Sequence, residues 1–201
     1  KANSKWKNVS VGLAISKTAN FNNNVYVSGE NNQSSYSEKY LDQLISGNAT
    51  NPDDAAKNYP YGASLGLNTY LIDPTYDNNN NLTGYASNAS VSTGLKQQQI
   101  INTKGGISAF SIGVGSNYND VFYIGGSINI NTLKYIRNSS FRETDATNVT
   151  NNDFNYFVAD DYLRTDGTGA SINLGIIFKP VEALRVGLNF HSPSWYSFKD
   201  T

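Results

Sequence analysis

The chain has 201 residues, of which 38% are hydrophobic and 15% charged, with a formal net charge of -1 and neither cysteine nor methionine. Near-neutral charge without a Lys/Arg stripe gives no electrostatic case for a nucleic-acid partner, and the missing cysteines exclude a disulfide scaffold or a thiolate metal site. A transmembrane helix needs roughly 18 or more apolar residues in succession and none occurs, whereas a mean hydropathy of -0.46 is compatible with transmembrane strands, whose alternation keeps the average polar.

Alternation with period two begins at Val9, Val11, Leu13 and Ile15, opposed by Ser10, Gly12, Ala14 and Ser16. It stops at Lys17, Thr18, Ala19 and Asn20. The segment 22–96 then reads as a long extracellular loop containing short helices. Ser35-x-x-Glu38 has the form of a capping box, followed by Tyr40, Leu41, Leu44 and Ile45 on one helical stripe, with Gly47 as a stop. Asn51 to Asp54 open a second helix, with Pro52 at its first position and acids against the dipole, and Pro60 ends it. Tyr61 to Ile72 is expected to form a third, bearing Leu65, Leu67, Tyr70 and Leu71, and the polar run Asp77 to Asn81 is expected to be mobile.

Four more alternating segments follow. The second strand sets Phe110, Ile112 and Val114 against Ala109, Ser111 and Gly113. The third sets Phe122, Ile124, Ile128 and Ile130 against Tyr123, Gly125, Ser127, Asn129 and Asn131. A second extracellular loop is expected over 138–168. Beyond it, Ile172, Leu174, Ile176 and Phe178 oppose Ser171, Asn173 and Gly175, and Val186, Leu188 and Phe190 oppose Arg185, Gly187, Asn189 and His191. Tight turns are expected at Asn117 to Asp120 and at Pro180 to Ala183, built from residues that tolerate turn dihedrals.

The non-apolar faces are made of Gly, Ala, Ser and Asn. Small polar residues suit a barrel lumen better than the outer face of a soluble sandwich, which favours Lys, Glu and Thr. Short turns at one end and long loops at the other are the asymmetry of outer-membrane barrels. The expected fold is therefore all-β, an antiparallel transmembrane β-barrel segment of about five strands with short helices in a long extracellular loop. Bacterial single-chain barrels use even strand numbers from about eight upward, so the chain reads as part of one barrel domain, with the remaining strands elsewhere.

Lys104 to Ile107, Asn117 to Asp120, Tyr123 to Ser127, Gly167 to Ala170, Ile172 to Gly175, Phe178 to Pro180, Leu184 to Gly187 and His191 to Tyr196 follow one another in an order that resembles the FadL/OmpP1/TodX family of outer-membrane transporters, in the form found in Bacteroidetes. The resemblance covers most of the chain, the long loops matching in character more than in sequence. It implies a barrel of about fourteen strands plugged by an N-terminal hatch, which takes up hydrophobic molecules such as long-chain fatty acids. In such proteins substrate enters an apolar groove among loop helices, moves to a lumenal pocket and leaves sideways at a kinked strand. The hatch, its Asn-Pro-Ala motif and the last strands are not in this sequence.

Each candidate site has two readings. Tyr40, Leu41, Leu44, Ile45, Leu65, Leu67, Tyr70 and Leu71 form either an apolar entry groove or the stripe by which loop helices pack together. Arg185, Asn189 and His191 share the expected lumenal face, where a cation can hold a carboxylate headgroup or simply pair with the barrel's own groups; a lone histidine makes no metal site. Lys17, Thr18 and Ala19 mark either the kink implied by the resemblance or the point where a strand leaves the bilayer. Trp6, Tyr123, Trp195 and Tyr196 suit membrane-water interfaces. Gly167-Thr168-Gly169 lacks the residues and the helix of a phosphate loop. No catalytic group, metal or cofactor is expected.

The leading expectation is a non-enzymatic channel in the bacterial outer membrane for hydrophobic small molecules, in contact with membrane lipid and lipopolysaccharide. One rival is a FadL-like barrel serving as a structural or secretion-associated component, whose extracellular loops bind protein partners. The other is a soluble extracellular β-rich binding or adhesion module.

Overall fold

The computed structural model describes residues 4–47, 51–147 and 154–201. With 65% of the chain in strands and 13% in helices, the molecule is all-β in class, as the alternation predicts. It divides into two compact units.

The first unit comprises Lys1–Asn24, Asn102–Asn138 and Tyr162–Thr201. It holds β1 (Trp6–Asn20), the greater parts of β5 (Leu95–Tyr118), β6 (Phe122–Asp145) and β7 (Tyr156–Val181), then β8 (Leu184–His191) and β9 (Trp195–Asp200). Hydrogen bonding runs in the order β1-β5-β6-β7-β8, with β9 also on β7. Pairing of β1 with β5 is antiparallel and matches Val11 with Val114, Leu13 with Ile112 and Ile15 with Phe110. Pairing of β7 with β8 matches Leu174 with Phe190, Ile176 with Leu188 and Phe178 with Val186. Apolar residues are thus laterally adjacent, because a register that slipped by one would mix the two faces.

Both expected turns are tight. Asn119 and Asp120 have φ of 54° and 58°, the signature of a two-residue hairpin turn whose twist matches the strands. The Val121 N–H closes it on the Tyr118 carbonyl at 3.2 Å, and the Asp120 N–H donates to Asn117 Oδ1 at 2.9 Å. Across the β7–β8 connection Val181 pairs with Leu184, leaving Glu182 and Ala183 as the turn.

The second unit comprises Val25–Ile101 and Ser139–Asp161. Here β2 (Asn23–Asn31) pairs with β5. There follow α1 (Glu38–Ser46), α2 (Pro52–Asn58), α3 (Ala63–Asn68) and a hairpin of β3 (Ile72–Tyr76) and β4 (Leu82–Ser87). Asn51 caps α2, its side chain accepting from the Asp54 N–H at 3.0 Å, with Pro52 first and Asp53 and Asp54 in the first turn. At α1 the Glu38 carboxylate accepts from the Ser35 N–H at 3.3 Å, half of the expected capping box.

Three expectations change. The strands outrun their alternation: β2 and the start of β5 lie within 22–96, and β6 and β7 leave only 146–155 between them out of the expected loop 138–168. The reason is that these extensions mix apolar and polar residues on both faces, as at Val25, Tyr26 and Val27 or Tyr156, Phe157 and Val158, so the backbone ladder continues where the period-two signal has gone. The third helix is Ala63–Asn68 and not Tyr61–Ile72, since Tyr70 at φ 56° turns the chain and delivers Ile72 to β3. Finally, Asp77 to Asn81 is an ordered hairpin tip, with Asp77 Oδ1 accepting from the N–H groups of Asn79 and Asn81 at 2.8 Å each.

Candidate functional site

In the first unit the apolar face of the sheet is uncovered. Apart from the half-buried Phe122, its large side chains are exposed by amounts running from 38% at Ile176 to 81% at Ile15, and they come from β1, β5, β6, β7 and β8. A soluble protein rarely exposes a contiguous apolar patch larger than a few hundred Å², and this face spans five strands. Trp6, 50% exposed, stands edge-on to Tyr118 at 5.2 Å near the tight turns, and Trp195, 62% exposed, pairs with Ala170 on the other side of the apolar band.

Among the described residues, the opposite face holds no apolar core. It is tied by side-chain hydrogen bonds that run across strands. Ser111 donates to Asn129 Oδ1 at 2.7 Å, and Asn129 Nδ2 donates to Ser171 at 3.2 Å. Asn173 Nδ2 donates to Ser127 at 3.2 Å, and Asn173 Oδ1 meets His191 Nδ1. His191 therefore ends a polar ladder. Asn189 pairs with Gly175 and, with Arg185, stays exposed on β8. Gly167 and Gly169 on β7 lie under Phe198 and Tyr196: a Cβ at either would stand 2.7 Å from the ring above, and those two rings stack at 5.4 Å.

At Lys17, Thr18 and Ala19 the ladder is irregular. Lys17 pairs with Ser108 and Ala19 with Ile107, so Thr18 is the extra residue of a β-bulge, its hydroxyl donating to the Ile107 carbonyl at 3.3 Å. Glycines on β5 make the distortion possible. Gly105 has φ +124°, and a Cβ there would stand 2.0 Å from the Lys134 carbonyl oxygen; one on Gly106 would stand 2.3 Å from that of Ala19. An open cleft of about 760 Å³ adjoins the bulge, lined by Lys17, Gly105, Gly106, Lys134, Asp166 and Lys199 among others. Sequence reasoning missed Lys134, Asp166 and Lys199; the signal available was their even spacing, on the same strand face, from Ile130, Ile172 and Trp195.

The helical stripe of the second unit does not form a groove as a set. Tyr40, Leu44 and Leu71 are buried with Ile72, Leu95 and Phe154 in a closed core, and Leu41 and Leu67 pack against it. Ile45, Leu65 and Tyr70 face outward, 66%, 47% and 78% exposed. Burial, reinforced by the neighbouring Tyr36 hydroxyl, pushes the Tyr40 phenol up to about 12. Beside this core lies Glu143, fully buried, accepting from Ser35 Oγ at 2.5 Å, Gln97 Nε2 at 2.7 Å and the Tyr36 N–H at 3.2 Å. These bonds lash the entry to α1 onto β5 and β6. At the hairpin tip, hydrogen bonds from Asn81 hold the Asp77 carboxyl below its usual range.

No family model, curated protein or solved structure with which the chain was compared matches it.

Proposed function

We propose that this chain forms part of the wall and the extracellular cap of a bacterial outer-membrane β-barrel, related to the FadL/OmpP1/TodX transporters, that passes hydrophobic small molecules such as long-chain fatty acids without enzymatic chemistry. The observation that carries the reading is the uncovered apolar face of the first unit, opposed by a satisfied polar ladder. Lipid solvates the one and a lumen the other. The bulge at Thr18, beside Gly105 and Gly106, is where a lateral exit would fall, and it supports passage over a plain wall.

The closed core of the cap favours a second reading. With Tyr40, Leu44 and Leu71 buried against one another, an entry groove would have to use Ile45, Leu65 and Tyr70 alone. A barrel recruited as a structural or secretion-associated component, with loops that bind protein, needs no such groove.

The test is amphiphile dependence followed by native mass spectrometry. The expected protein is monodisperse only in detergent or lipid, and retains a fatty acid supplied during folding. Monodispersity in plain buffer overturns the membrane reading; insertion without retained acyl chain transfers support to the scaffold reading.

A further inference from the structure

On the uncovered face of the first unit, side chains change character at one level. Ile15 is followed on its face by Lys17, Ile130 by Thr132 and Lys134, and Trp195 by Ser197 and Lys199. The open cleft sits at this border. It is lined by Lys17, whose Nζ donates to Asn20 Oδ1 at 3.3 Å, and by Lys134 and Lys199, which flank the carboxylate of Asp166 that Arg164 Nε already holds at 2.6 Å. Lys134 and Lys199 both stand close enough to act on Asp166 electrostatically. Gly106 leaves room for the Lys17 stem, since a Cβ there would meet Lys17 Cε at 2.8 Å. The lysines thus rise from strands far apart in sequence and leave a surplus of positive charge, with the hydroxyls of Ser108 and Thr168 beside them.

We propose that this cleft is a binding site for the phosphate-bearing headgroup of an anionic lipid whose acyl chains lie along the apolar face below it. The inference rests on the membrane reading of that face. Two physical points select a lipid over a soluble anion. Exposed charges are screened within about 8–10 Å at physiological salt, so an open cleft holds a free ion weakly. A lipid is anchored by its tails against Ile15 and Ile130, and its phosphate then meets ammonium groups already at headgroup level. Lysine suits this role, because its stem lies on apolar surface while its charge reaches the wet side.

The two tryptophans supply the test, one next to the cleft and one at the tight-turn end of β1. Trp6→Phe and Trp195→Phe variants of the chain are inserted into phosphatidylcholine vesicles in which a minority of lipid carries brominated acyl chains, either as phosphatidylcholine or as phosphatidic acid. Brominated phosphatidic acid is expected to quench Trp195 about twofold or more beyond brominated phosphatidylcholine, with no excess at Trp6. The triple substitution Lys17→Gln, Lys134→Gln, Lys199→Gln is expected to abolish the excess while quenching of Trp6 by brominated phosphatidylcholine persists, showing that the variant still inserts. Equal quenching of Trp195 by the two lipids, or the same excess at both tryptophans, overturns the site and leaves the membrane reading standing. Absence of quenching at either tryptophan by brominated phosphatidylcholine overturns the membrane reading itself.

Discussion

Glu143 illustrates how one side chain can organise a loop. It is a fully buried carboxylate whose oxygens accept from Ser35, Tyr36 and Gln97. Glu143→Ala leaves those donors without their acceptor, and since each buried unsatisfied group costs about 1–3 kcal/mol, the second unit should lose about 3 kcal/mol or more. Denaturation in detergent micelles, followed by helical circular dichroism, checks this; Glu143→Gln should recover part of the loss. Tyr40 gives a pH dependence of definite sign. Its phenol ordinarily loses its proton near 10.0, and in the folded protein near about 12. Between those values the folded chain keeps a proton that the unfolded chain has given up. Stability from this group is therefore full below pH 10 and falls as pH rises through about 12, and Tyr40→Phe should flatten the alkaline limb of the unfolding midpoint against pH. Burial of Tyr40 was one of the two readings of its helical stripe, whereas the role of Glu143 was not legible, because it lay in an expected loop and its partners Ser35, Tyr36 and Gln97 are far away in sequence.

Strands were the most legible elements, because alternation is a local property that survives in any register. Ile128 stands on the apolar face, 59% exposed, and an arginine placed near the bilayer midplane costs about 2–4 kcal/mol. On the proposed membrane reading, Ile128→Arg should lower stability by that amount in vesicles, read by urea unfolding from the membrane. The bulge was half legible. The end of alternation at Lys17 to Ala19 flagged it, but its cause lies on the neighbouring strand at Gly105. A methyl group there would meet the Lys134 carbonyl oxygen at a backbone φ of +124°, so Gly105→Ala should cost about 1–3 kcal/mol in strain. Relaxation of the bulge would appear as altered hydrogen exchange at Thr18 and Ile107. The extensions of β2, β5, β6 and β7, which mix apolar and polar residues on both faces, were illegible for the converse reason: a ladder of backbone hydrogen bonds needs no alternating pattern.

On the proposed membrane reading, the two units draw their stability from different solvents. The first has an apolar surface and a hydrogen-bonded polar face; the second has a buried core around Leu44 and Ile72, exposed by 1% and 0%. Leu44→Ala should destabilise the second unit by about 2–5 kcal/mol, the range for a large core deletion, while leaving Trp6 and Trp195 emission in detergent unchanged. Diluting detergent should have the complementary effect, shifting the emission of both tryptophans before the helical signal of α1 to α3 falls. Period two, turn residues and helix caps are consequences of neighbours in sequence, and these determined the five alternating strand segments and their faces, two tight turns and the cap of α2, but not β2, β3, β4 or β9. Convergence of Lys17, Lys134, Asp166 and Lys199 on one cleft, the closing of the helical stripe into a core, and the burial of Glu143 depend on strand register and on packing between segments far apart in the chain. Those are properties of pairing, which no local pattern encodes.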